Sequence, residues 1–187
     1  MERREAVQYI SLLLGGTLVG GSAFLTGCKS ETGKEAKFSK DDVAYLDEVA
    51  NTILPDTASS PGAKAAKVGA FMTVMVNDCY EEKDQKIFHD GMTKLNDLSK
   101  KTYDNSFMKV NDQQRHDLLV TLDAEQKKYS KDKKKEDPAH YFRMMKELTM
   151  LGYFTSEIGS TKARRYVESP GKYEGCVPYK KGDKAWA

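Results

Sequence analysis

Apolar residues recur at helical spacing through most of the chain beyond residue 38. Val43, Leu46, Val49, Ala50 and Ile53 share one helical face. Ser39 stands where an N-cap is needed, and Asp41-Asp42 occupy the first turn, where carboxylates favour the helix dipole. Pro55 stops this helix, and Asp56 to Gly62 is a turn-rich loop. A second helix is expected over Val68 to Tyr80 with Phe71, Val74, Met75 and Cys79 inward, and a third over Glu81 to Tyr103 with Ile87, Phe88, Met92, Leu95 and Leu98 inward. Asn111-Asp112 opens a fourth, whose core side carries Leu118, Leu119 and Leu122. Asp137-Pro138 reads as an N-cap followed by proline at the first helical position, opening a fifth helix through Tyr141, Met144, Met145, Leu148 and Leu151. There is no alternating strand pattern and no internal repeat. The pattern predicts an all-α fold, an irregular bundle of about five helices with an extended C-terminal tail.

Helix periodicity gives way to turn chemistry after Leu148-Thr149-Met150-Leu151. Gly152, the pair Tyr153-Phe154 and Thr155-Ser156-Glu157 follow, then Arg165-Tyr166, Pro170-Gly171, Tyr173 and Gly175-Cys176. The rings of Tyr153, Phe154, Tyr166 and Tyr173 are expected to pack on the bundle or to line a partner's surface. Gly152 and Gly171 are expected to permit tight backbone turns.

The first 28 residues read as an address rather than as part of the fold. Arg3-Arg4 precede an apolar, glycine-containing stretch from Tyr9 that ends in Leu25-Thr26-Gly27-Cys28. Paired arginines suggest twin-arginine export, and Leu-Thr-Gly-Cys looks like a lipobox whose cysteine is lipidated. An uncleaved membrane-spanning anchor is the alternative, since the stretch approaches the ~20 residues needed to span. Residues 29–37 are polar and form a tether, which leaves 38–187 as the folded domain.

Charge narrows the function classes. Thirty basic and 28 acidic residues are interspersed, for a formal net charge of +2 over 187 residues. That balance argues against nucleic-acid binding, which calls for a concentrated basic face. The lysine run from Lys127 to Lys135 reads as a solvated helix end and loop. No dinucleotide-binding glycine motif follows a strand, no haem-attachment motif exists, and His89, His116 and His140 fall on separate elements without a close second ligand. Ser156 has no nucleophile elbow around it; its hydroxyl and that of Thr155 are expected to bond backbone where the helix ends. With Cys28 lipidated, Cys79 and Cys176 remain in an exported domain, where oxidation is permitted. They either form a bridge stapling the tail to the bundle, or serve as a small core residue and an unpaired tail thiol.

The tail residues Gly152 to Gly159, Arg165-Tyr166 and Pro170 to Cys176, together with Ile53-Leu54-Pro55 and Ser60-Pro61-Gly62-Ala63-Lys64, resemble one family. It is the small third (gamma) subunit of membrane-associated gluconate 2-dehydrogenase. The resemblance implies an accessory subunit without a cofactor of its own. Its partner would be a FAD-dependent catalytic subunit of the glucose-methanol-choline type, often accompanied by a cytochrome c subunit, on the periplasmic side of the envelope. It also implies a role in export and assembly. Gly152, Tyr153, Phe154, Thr155, Ser156, Glu157, Tyr166, Pro170, Gly171 and Tyr173 become the docking candidates. A lipobox is not general to the family, so attachment through Cys28 is read from this sequence alone. Two other readings stand beside it: a stand-alone envelope lipoprotein that binds a small molecule or protein, and a chain that is itself an oxidoreductase.

Overall fold

The computed structural model describes residues 38–187. Arg3, Arg4, Cys28 and the tether lie outside them. The described chain is all-helical, and no strand forms in it. Five α-helices follow in order: α1 (Lys40–Ile53), α2 (Val68–Cys79), α3 (Glu82–Tyr103), α4 (Asp112–Asp132) and α5 (Tyr141–Thr155), with a π-helical turn at Gly159–Ala163. Every buried core residue lies within this one compact unit.

Helix α5 is the centre. It touches each of the other four helices and the π-helical turn. It therefore buries residues around most of its circumference: Phe142, Met145, Thr149 and Gly152, but also Tyr141, Met144, Leu148 and Tyr153. The buried Thr149 hydroxyl donates to the Met145 carbonyl at 2.8 Å, so its polar group is satisfied inside the helix.

Local signals start the helices much as their chemistry requires. Ser39 and Asp42 form a reciprocal capping box on α1, and Asn111 and Gln114 form another on α4. The fifth helix departs from expectation. It starts at Tyr141, where His140 Nδ1 accepts from the Phe142 amide at 3.2 Å. Asp137 instead turns back and accepts from the Lys134 amide at 2.8 Å, and the Pro138 carbonyl accepts from the Tyr129 hydroxyl at 3.1 Å. The Asp-Pro pair thus closes a turn against α4 before α5 begins.

Helix α2 is rotated relative to the expected phase. Val68, Gly69, Met72 and Val76 are buried, while Phe71 and Met75 are half-buried, Cys79 is exposed and Val74 is 55% exposed. The cause is Gly69. Its lack of a side chain lets α2 meet the backbone of α1, and its amide donates to Asp47 Oδ1 at 2.7 Å. Lys67, which precedes α2 in a left-handed conformation (φ 55°), offers no side-chain cap, so the carboxylate comes from α1.

Two ion-pair nodes tie helices together. Glu48 of α1 accepts from Arg115 of α4 through Oε1 and from Lys64 through Oε2 at 2.8 Å. Arg115 also donates to the Phe107 and Met108 carbonyls, both at 3.1 Å, and lies over the Phe107 ring. Asp123 of α4 accepts from Lys146 of α5 and from Lys127, both at 2.6 Å. Hydrogen bonds from Lys127 and Lys146 hold its carboxyl well below the usual carboxylate range.

Two tests follow from this packing. An alanine Cβ at position 69 would stand 2.5 Å from the Val43 carbonyl oxygen and 2.6 Å from the Asp47 amide nitrogen. Alanine gains about 1 kcal/mol of helix propensity, but overlap with backbone outweighs it. Gly69→Ala is expected to destabilise by about 1–3 kcal/mol net in urea unfolding. For Asp123 the native carboxyl is the more acidic, so its contribution is full above the ordinary value of 3.8 and fades as pH falls below it. Melting curves of Asp123→Asn should therefore lie below those of the parent at neutral pH and converge with them in acid.

Candidate functional site

The stretches that stand out in the sequence meet at the C-terminal end of α5. The Tyr153 hydroxyl donates to the Pro61 carbonyl at 2.6 Å and lies 2.8 Å from Ser60 Oγ. The loop Asp56 to Gly62 is folded tightly for this contact. The Gly62 amide donates to Asp56 Oδ1 at 2.6 Å, and Ala63, fully buried, donates its amide to the Leu54 carbonyl at 2.9 Å. Gly152 sits one residue earlier inside α5, where a Cβ would fall 2.5 Å from Phe71 Cδ1. It permits close helix packing rather than a turn, which corrects the expectation drawn from the sequence. Gly152 and Tyr153 are both buried, so they hold the site from within and are not available to a partner.

Thr155 and Ser156 finish the helix. Thr155 Oγ1 donates to the Leu151 carbonyl at 2.7 Å; Ser156 Oγ donates to the Tyr153 carbonyl at 2.6 Å and accepts from the Gly159 amide at 3.0 Å. Both hydroxyls are committed to backbone, as the sequence suggested. Glu157 is exposed. After the π-helical turn, Arg164 folds back over the half-buried Phe154 ring at 5.4 Å and donates to the Phe154 carbonyl. Phe154 in turn meets Tyr153 edge-on at 5.2 Å.

Beyond Arg164 the chain leaves the bundle and closes on itself. The Arg165 amide donates to the Ala185 carbonyl at 2.8 Å, and the Ala187 amide donates to the Arg165 carbonyl at 2.9 Å. The Arg165 guanidinium stacks over the Trp186 ring at 4.3 Å. The loop so closed presents a row of exposed apolar side chains: Tyr166, Val167, Tyr173, Val177, Tyr179 and Trp186. Tyr173 is 94% exposed, and Pro170 and Gly171 are exposed beside it. Gly171 adopts φ +69°, so here a glycine does serve a turn. Tyr173, Val177, Val167 and Trp186 line one open groove in this loop.

The docking candidates thus divide. Phe154 and everything before it form the base, while Tyr166, Pro170, Gly171 and Tyr173 project. Trp186, Val177 and Tyr179 join the projecting set, although no spacing rule links Trp186 to Arg165 from the sequence. Cys79 and Cys176 are both free and exposed, and no bridge joins them in this structure. His89 stacks on Phe38, His116 is exposed on α4, and His140 caps α5. No group of three or more metal-ligating side chains occurs among the described residues.

The Tyr153 joint is open to a direct test. Tyr153→Phe keeps the ring and removes the hydroxyl, and should cost about 1 kcal/mol of stability. Hydrogen exchange at the Gly62 and Ala63 amides should quicken in that variant, while the core amides of α4 keep their protection.

Residues 40–171 match the family described as gluconate 2-dehydrogenase subunit 3. No match is found among curated proteins or among solved structures. The matched span holds the Pro61-Gly62-Ala63 loop, α5 with its Gly-Tyr-Phe end, and Arg165-Tyr166, and it stops at Gly171, before Tyr173 and Gly175-Cys176. It covers most of the chain and both partners of the Tyr153 contact, and the chain therefore belongs to the gluconate 2-dehydrogenase subunit 3 family.

Proposed function

We propose that this chain is the non-catalytic accessory subunit of a gluconate 2-dehydrogenase-type complex. In this reading it binds a FAD-dependent catalytic subunit of the glucose-methanol-choline type and aids that subunit's export and assembly. It holds the complex at the periplasmic face of the envelope through a lipidated Cys28. Substrate oxidation and the flavin belong to the partner, as does haem where a cytochrome c subunit joins.

Family membership is the observation that carries this reading. The projecting loop supports it: six large apolar side chains between Tyr166 and Trp186 are exposed on one closed segment. Aromatic residues with polar tips, set together on an exposed surface, suit the centre of a protein interface. The commitment of the Thr155 and Ser156 hydroxyls to backbone supports a structural role for that conspicuous stretch. No helix among the described residues is long and apolar enough to cross a membrane. Attachment in this proposal falls to the leader and its cysteine.

Recovery of the tagged full-length chain from native membranes, with mass spectrometry and a visible spectrum, tests the proposal. The expected result is a co-purifying flavoprotein and its flavin absorbance. A chain recovered repeatedly without any flavoprotein would favour the stand-alone lipoprotein. Flavin retained by this chain after separation from all partners would favour an oxidoreductase in its own right.

The docking loop has its own prediction. A chain ending at Arg164 keeps the π-helical turn and the Arg164–Phe154 contact, so its helical circular dichroism should stay near that of the parent. Co-purification with the flavoprotein should fall at least ~10-fold, since interface energy concentrates in buried aromatic anchors. Undiminished recovery with the shortened chain would move the interface elsewhere on the bundle.

A further inference from the structure

Between Lys127 and Lys146 the chain carries eight cations against three carboxylates, whereas the whole chain is only +2. The remainder therefore has a small negative excess, and the positive charge is concentrated at one place. That place is the C-terminal turns of α4, the connection that follows, and the first turns of α5. Favourable placement at a helix C-terminus accounts for Lys131, in the last turn of α4. It does not account for Lys133, Lys134 and Lys135, which lie beyond the helix.

Internal pairing leaves most of this charge unanswered. Lys127 and Lys146 share Asp123, and Arg143 pairs with Glu147 at 2.7 Å. Among the described residues, no carboxylate lies within salt-bridge distance of Lys128, Lys131, Lys133, Lys134 or Lys135. Four of these five are exposed; Lys133 is half-buried, with its ammonium donating to the Asp137 carbonyl at 2.8 Å. Between α4 and α5, the stems of Lys127, Lys131 and Lys146 and the exposed Met150 line an open groove of about 510 Å³. Its walls are largely aliphatic, and the three lysines and Arg143 around it outnumber its one carboxylate, Glu147.

The chain enters the domain against α3, the helix that also borders this connection. Phe38, the first described residue, stacks on His89 at 4.2 Å and meets Phe88 edge-on at 6.1 Å. The preceding turn of α3, through Lys83, Asp84 and Ile87, lines a common groove with Lys135, Asp137 and Pro138. Both the entry point and the lysine-rich connection are therefore built on neighbouring turns of α3. Cys28 lies only ten residues before Phe38, a reach of at most ~35 Å even for extended chain.

We infer that the lysine-rich end formed by α4, the α4–α5 connection and α5 is a membrane-facing surface that binds anionic phospholipid headgroups. This inference rests on the lipidated reading of Cys28 for its setting. A lipid chain within that reach of the entry point keeps the domain near enough to the bilayer for the basic end to meet it, and the unpaired lysines then orient the domain on it. One hydrophobic anchor combined with a polybasic patch is a recognised two-signal mode of attachment. The reading of these lysines as merely a solvated helix end gives way to a function for their position. The projecting C-terminal loop is then left for the protein partner.

The test separates this surface from the anchor. The domain 38–187 contains the whole described core, so it is used without its leader in co-sedimentation with vesicles. Vesicles of pure phosphatidylcholine are compared with vesicles containing about one-third phosphatidylglycerol. Binding is expected only to the anionic vesicles, and should weaken steeply between about 50 and 300 mM salt. Replacing four exposed lysines (Lys128→Gln, Lys131→Gln, Lys134→Gln and Lys135→Gln) should reduce partition by about 100-fold or more, with an unchanged thermal melt. Equal binding to both vesicle types, or anionic binding that the four substitutions do not weaken, would overturn the inference. It is overturned too, in favour of an acidic protein surface, if neither domain binds vesicles and the substituted full chain loses its flavoprotein. Release of full-length Cys28→Ser from membranes reads the anchor separately, so failure of one does not pass for failure of the other.

Discussion

The structure depends on what surrounds one helix. Helix α5 is packed by four others, and its last turn is also held by a loop. The Tyr153 hydroxyl supplies that fixation by bonding the Pro61 carbonyl at 2.6 Å, across more than ninety residues of sequence. The loop can receive the bond because Pro55 ends α1 and Asp56 folds the chain back onto the Gly62 amide. The helix can approach because Gly152 has no side chain to strike Phe71. Two segments that look like separate turns in the sequence are halves of one joint.

From that joint the division of labour follows. The buried half, from Gly152 to Phe154 with Arg164 folded over it, makes a rigid base. The half beyond Arg165 carries its apolar side chains outward on a loop held by the Arg165–Trp186 stack and two backbone bonds. A rigid base with a projecting aromatic loop suits a subunit whose task is to hold another protein. The lysine-rich end belongs to a different pair of helix termini and suits a different partner.

Much of the fold was legible because local chemistry and global packing agree. Ser39 and Asn111 cap α1 and α4 with their own side chains, and Leu118, Leu119 and Leu122 fall inside as their spacing demands. The family was legible in the Gly-Tyr-Phe and Pro-Gly-Ala stretches, and residues 40–171 match it. The phase of α2 was not, because periodicity weighs Val74 and Cys79 as apolar and gives Gly69 no weight. It is Gly69's contact with the α1 backbone that turns the helix. The start of α5 was misplaced for a related reason: Asp137-Pro138 satisfies the rule for a cap, yet a closer turn with Lys134 uses the same carboxylate. The tail was half legible. Its aromatic content marked it as special, but the closure of Trp186 on Arg165 is a long-range contact that no local pattern encodes.

The central position of α5 also has a consequence for biosynthesis. Four helices precede it on the ribosome, and the apolar residues of α1 to α4 that α5 covers lack that partner until Tyr141 to Tyr153 has emerged. At roughly 5–20 residues per second, those positions stay uncovered for several seconds, and longer while the last residues clear the exit tunnel. Although α1 and α2 pack directly on each other, the core is complete only when Tyr153 can reach a loop made long before it. Until then, the apolar residues that α5 covers are open to other contacts for most of the chain's synthesis.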